Sequence, residues 1–242
     1  MNLPPLRSTA PALRLLLAVL LGGALPVAQA QSFCASDGQP RPVALLERFI
    51  NADCADCWSD AATVRAGQGE LAIDWVVPGE QGDDAPLSAV ASRDAMERMK
   101  ALRLPRGAGL WHRKAQVTGQ AGALRVSHGL PYGGYLGTSI ELKPSRSPAR
   151  GQSWTYWLAL VETLPEGTEG SPVARNLIRN VLQSTWNMRK QLLKGEQLRF
   201  FEARSMRLAE GVNPERVRLI GWVEDGRGHI VSAAQSRCAG GG

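Results

Sequence analysis

Cys54 and Cys57 are separated by Ala55 and Asp56, and a Cys-x-x-Cys spacing supports three chemistries. Thiol–disulfide exchange needs one thiolate to attack and a second thiol close enough to form an intramolecular disulfide, and in that scheme Cys54 attacks and Cys57 resolves. A purely structural disulfide is the resting expectation in an oxidising compartment. Half of a zinc site would need two more ligands. The remaining candidates are His112, His128 and His229, scattered and without a second Cys-x-x-Cys. Each histidine reads as a structural or surface residue, so neither a metal nor a cofactor is expected. Asp53 and Asp56 flank the proposed nucleophile, and no Lys, Arg or His falls between Ile50 and Val64. Nearby carboxylates disfavour a thiolate, so Cys54 is expected to be less acidic than the nucleophile of a strong oxidant.

Cys34 and Cys238 are the other two cysteines. Four cysteines allow three pairings, of which Cys34–Cys238 with Cys54–Cys57 is favoured, since chain ends of a domain often lie close together. Such a bridge would contribute on the order of 4–5 kcal/mol in the chain-entropy account. The competing expectation is two unpaired or intermolecularly paired thiols.

The elements that position these residues follow from local pattern. Val43–Ile50 is an apolar run of strand length, and Ser59–Ala66 after the cysteines is helix-compatible. Leu71–Val77 is a second strand, ended by Pro78-Gly79, and Ser88–Leu102 has helical spacing. The first half therefore reads as α/β. The second half reads as β-rich, with strands at Thr138–Lys143, Trp154–Thr163, Val217–Val223 and Ile230–Ala233. Between them Ser171 is a good N-cap and Pro172 a good first residue for one long amphipathic helix ending near Gly195. That helix would gather Val173, Leu177, Val181, Met188 and Leu192 on one face. Arg175, Arg179, Arg189, Lys190 and Lys194 would fall opposite, as a solvated face or a contact for an anionic membrane surface.

Composition sets the outer bounds. The chain has 242 residues, 44% apolar and 21% charged, which excludes a disordered chain, a collagen-like fibre and a multi-span membrane protein. Residues 1–30 read as a secretory signal: Arg7 and Arg14 precede the apolar run Leu15–Val27, and Ala28-Gln29-Ala30 has the small-x-small cleavage pattern. Cleavage near Ala30 removes two arginines, taking the net charge from +6 to +4. The exported chain is expected in the periplasm or outside the cell. A charge that mild, with no basic tract, gives no reason to expect a nucleic-acid partner. No Ser/His/Asp order, phosphate-cradling glycine loop or paired-carboxylate spacing stands out.

With the cysteines placed, the chain resembles the uncharacterised secreted thioredoxin-like family called domain of unknown function 1223. The resemblance is carried by Val43–Trp58 (VALLERFINADCADCW), Leu71–Val77, Trp111–Gly119, Val173–Leu182 and Val217–Ala234. It implies a thioredoxin-like domain over 31–120 followed by a β-rich, sandwich-like region over 121–242. It also implies a thiol–disulfide oxidoreductase that uses Cys54 and Cys57 on a protein thiol or disulfide partner. In the register of that family Arg113, within Trp111-His112-Arg113-Lys114, stands where a cis-proline would flank the cysteines. No proline occurs between Pro105 and Pro131. That departure implies weak or absent catalysis. A non-catalytic envelope scaffold, binding a partner and held by structural disulfides, is the alternative, and a metal-binding chaperone a distant third.

Overall fold

Two β-sheets, rather than an α/β core, organise the chain. A computed structural model describes residues 34–105, 107, 109–145, 153–187 and 198–238. The expected signal segment and Lys190 and Lys194 lie outside these residues. The described residues form one compact unit.

Twelve strands are formed among the described residues: β1 (Cys34–Ala35), β2 (Ala44–Asn51), β3 (Glu70–Val77), β4 (Leu110–Gln116), β5 (Gly122–His128), β6 (Tyr135–Pro144), β7 (Ser153–Leu164), β8 (Arg175–Asn187), β9 (Phe200–Arg207), β10 (Val217–Glu224), β11 (Ile230–Gln235) and β12 (Arg237–Cys238). Two α-helices accompany them, α1 (Ala55–Ser59) and α2 (Arg93–Ala101). One sheet runs β12-β1-β5-β6-β9 and the other β11-β10-β7-β8-β3-β2-β4. The larger sheet takes strands from both sides of residue 120, so that position does not separate two hydrophobic cores.

The expected thioredoxin-like core with a long amphipathic helix is therefore corrected. What remains of the α/β pattern is the parallel pair β2 with β3, joined through the five-residue α1, with β3 also meeting β8 in parallel at Asp74↔Leu177. The segment expected as a long helix is β8, paired with β7 from Arg175↔Leu164 to Asn187↔Ser153. The apolar residues expected on one helical face are divided, with Leu177 and Val181 in different core clusters. Register runs from Ile178↔Val161 to Asn180↔Leu160, leaving Arg179 as an extra, bulged residue. The bulge turns a strand's two-residue spacing into three, so Ile178 and Val181 pack into the same core cluster. Ser171 does not cap a helix: its hydroxyl accepts from Arg175 Nε at 2.9 Å.

Alternation along β7 builds a core on each face of the larger sheet. Leu158 and Leu160 of β7 face the smaller sheet, against Val126 and Ile140. Trp157, Ala159 and Val161 face the opposite way, toward Trp75, Trp222 and α2 residues Ala95 and Met99. Gly221 lets the two sheets approach closely, since a Cβ there would overlap the Val126 side chain.

Candidate functional site

β2 and β3 run parallel and end side by side, and the cysteine turn leaves from the end of β2. The Asn51 carbonyl accepts from Cys54 N–H at 3.0 Å, and its side-chain oxygen accepts from Asp53 N–H at 2.8 Å. Cys54 is the N-cap of α1, and Cys57 N–H donates to Cys54 Sγ at 3.2 Å. Cys54 and Cys57 form a disulfide, both partly exposed, and Cys57 packs against a small core of Ile50, Ala52, Trp58, Val76 and Leu177.

Asp53 does not simply add negative charge beside Cys54. Its carboxylate accepts from Glu80 N–H at 2.7 Å and from Gln81 N–H at 3.3 Å, tying the cysteine turn to the loop after β3. Gly79 makes this possible, because a Cβ there would overlap the Asp53 carboxylate. Asp56 is exposed to solvent.

A buried ion cluster supports the turn from beneath. Asp74 of β3 accepts from Arg48 of β2 at 2.7 Å and from Arg175 of β8 at 3.1 Å, with all three side chains excluded from solvent. Arg175 also donates to the Trp58 carbonyl at 2.9 Å, and its guanidinium lies over the Trp58 ring at 4.9 Å. Trp58 Nε1 in turn donates to the Glu169 carbonyl at 2.7 Å. The residue after Cys57 is thus held by its backbone, its ring face and its ring edge. Two arginines share the Asp74 carboxylate, and Arg175 joins that cluster to the end of α1 through the Trp58 carbonyl.

On the other face of the same strand pair, Glu47 accepts from Arg98 of α2 through two bonds of 2.7 Å. Glu224 accepts from the same guanidinium at 2.6 Å. Burial works against the Arg98 charge, and the two carboxylates overcome it, holding its pKa above the ordinary value. This cluster pins α2 against the sheet. Between α2 and the strand ends lies a cleft of about 660 Å³ whose lining includes Phe49, Asp53, Gly79, Met96 and Met99. Trp111, 40% exposed, also lines it.

The structure forms both expected disulfides, Cys34–Cys238 and Cys54–Cys57. It moves Arg113 away from the cysteines. Arg113 lies opposite Glu47 in the β2–β4 pairing and bonds its carboxylate at 3.3 Å, while Gly109 is the residue whose carbonyl meets Asn51 N–H. The place taken for a cis-proline is thus mid-strand. Arg175 is buried and Arg179 bonds Glu162 at 2.6 Å, so neither presents a free cation to a membrane surface. His112 is exposed on β4 and His229 bonds Asp225, but His128 is buried beside Cys34 and Cys238.

Sequence reasoning missed Arg48, Asp74, Gly79 and Arg175. One signal was present: Glu47-Arg48 and Asp74 interrupt otherwise apolar strands, and charges in buried strands must be paired.

The fold and site together define a two-sheet β protein with a partly exposed Cys-x-x-Cys disulfide beside a cleft. No protein-family model matches the chain, and no curated protein matches it. Among solved structures, HBP35 of Porphyromonas gingivalis is similar at 12% identity and a TM-score of 0.44. The match covers 81% of this chain and 74% of that one. At that identity and TM-score the likeness carries no argument about function.

Proposed function

We propose that this is an exported thiol–disulfide exchange protein acting through Cys54 and Cys57 on a protein partner. The observation that carries the proposal is the Cys57 N–H directed at Cys54 Sγ at 3.2 Å, which marks Cys54 as the sulfur whose negative charge is stabilised. Cys57, packed against the small core, serves as the resolving thiol. The order β2, Cys54–Cys57, α1 is what supports membership of domain of unknown function 1223 within this proposal. Export to an oxidising compartment follows from the signal-like residues 1–30 and suits two intact disulfides.

From the oxidised pair, a partner thiolate attacks Cys54 Sγ. The partner–Cys54 bond forms as the Cys54–Cys57 bond breaks, and Cys57 leaves as a thiolate. A second partner thiolate then attacks the partner sulfur of the mixed disulfide and releases Cys54. The partner dithiol loses two electrons and the cysteine pair gains them. The reverse sequence reduces a partner disulfide through the same mixed disulfide on Cys54. The cleft beside Asp53 is where a partner segment would lie during exchange.

The test uses Cys57→Ser, incubated with a disulfide-bonded peptide. A persistent mixed disulfide at Cys54 is expected, with a much slower adduct on Cys57 in the Cys54→Ser chain. No adduct in either variant, together with equal losses of thermal stability, would make the pair a structural clip and sink the proposal.

A further inference from the structure

The strand order β12-β1-β5 sets Cys238, Cys34 and His128 in one row across the smaller sheet. Cys34 is paired directly with Cys238 on one side and with His128 on the other. Directly paired residues of antiparallel strands project from the same face, so three metal-ligating side chains converge there. Their ligand atoms all lie within 4.8 Å of one another. Cys34 is 1% and His128 4% exposed.

His128 is poised as a ligand. Its Nδ1 lies 2.9 Å from the Gly129 carbonyl, which can accept only if Nδ1 carries the proton. The lone pair is then on Nε2, and Nε2 is buried with no hydrogen-bond partner among the described residues. A histidine that gives one N–H to a backbone carbonyl and keeps its other nitrogen unprotonated has the outer bonding usual for a metal ligand. A buried nitrogen left unpaired otherwise costs free energy with no return.

We propose that, while Cys34 and Cys238 are still thiols, they form with His128 a three-ligand zinc site whose fourth position is taken by water. The chain is synthesised with both thiols free, so the site is open until the disulfide closes it. Binding displaces one proton from each thiol and leaves two thiolates and a neutral imidazole on Zn²⁺. Two thiolates and one divalent cation leave no net charge to bury. Exchange with an external disulfide, which takes the two electrons and leaves as two thiols, joins Cys34 to Cys238, removes both sulfur ligands and releases the metal. The inference is independent of exchange at Cys54 and Cys57.

The test uses the full chain carrying Cys54→Ser and Cys57→Ser, reduced with a phosphine and titrated anaerobically with Co²⁺ and then Zn²⁺. One Co²⁺ per chain with thiolate charge-transfer absorption is expected, displaced by one Zn²⁺, with two protons released per metal. Adding His128→Ala should weaken binding by at least about tenfold, since loss of even an outer partner costs that much. Oxidised protein should bind neither metal at this site. Where reduction alone unfolds the chain, one equivalent of Zn²⁺ should restore the native near-ultraviolet signal, and His128→Ala should prevent this. Absence of stoichiometric uptake, unchanged affinity in His128→Ala, or failure of Zn²⁺ to restore an unfolded reduced chain would each overturn the proposal.

Discussion

Cys34 and Cys238 face each other across two short strands, with Cys34 buried and the pair 204 positions apart in sequence. Cys54 and Cys57 close a single turn at the end of a parallel strand, partly exposed and only three residues apart. One bond shortens nearly the whole unfolded chain, whereas the other restrains almost none of it. On the chain-entropy account this difference is about 5 against about 2 kcal/mol. Stability is therefore concentrated in the first disulfide and access to attacking thiols in the second. The cysteine turn obtains its rigidity from Arg175, Asp74 and the Asp53 contacts instead.

The comparison breaks most visibly if the long bridge is removed. Cys34→Ser with Cys238→Ser should lower the unfolding free energy by about 5 kcal/mol in denaturant titrations, while leaving exchange at Cys54 intact. Arg175→Met comes next, at about 3–5 kcal/mol, because it strips Asp74 of one of its two buried arginines. Unlike the long bridge, this change should also alter the alkylation rate of reduced Cys54, since Trp58 loses its backbone anchor. Gly79→Ala should cost about 1–3 kcal/mol by forcing the Asp53 carboxylate out of its contacts. Equal alkylation rates in Gly79→Ala and the parent chain would show that these contacts do not hold the cysteine turn.

The smallest effect concerns pH. Burial holds the His128 imidazole below its ordinary value of 6.5, with the Gly129 carbonyl opposing that shift. The folded state thus binds this proton less readily than the unfolded chain. Its contribution is complete above pH of about 6.5 and is lost as pH falls through the lower folded value. Denaturant midpoints followed from pH 7.5 downward should decline more steeply for the parent chain than for His128→Asn. Parallel curves would remove His128 from the buried face of the first disulfide.

Much of the site was legible in local sequence. Four cysteines with one close pair and one distant pair suggested the disulfides that form, and Leu71–Val77 and Trp154–Thr163 lie within β3 and β7. The fold class was not, and β8 shows why. A bulge at Arg179 breaks the simple alternation that would mark a strand, and only pairing with β7 reveals it. The same distance problem hid the support of the cysteine turn. Arg48 and Asp74 are 26 residues apart and Arg175 lies 101 beyond Asp74, so no local window holds the cluster. His128 meets Cys34 and Cys238 only through the strand order of the smaller sheet.

The account rests on the two disulfides differing in reactivity. That difference is measured directly by equilibrating the protein in graded thiol–disulfide buffers and quantifying each pair by alkylation and peptide mass spectrometry. The account predicts that Cys54–Cys57 is half reduced at a potential above about −300 mV, while Cys34–Cys238 stays oxidised there. Joint reduction of both pairs below about −300 mV, or reduction of Cys34–Cys238 first, would contradict it.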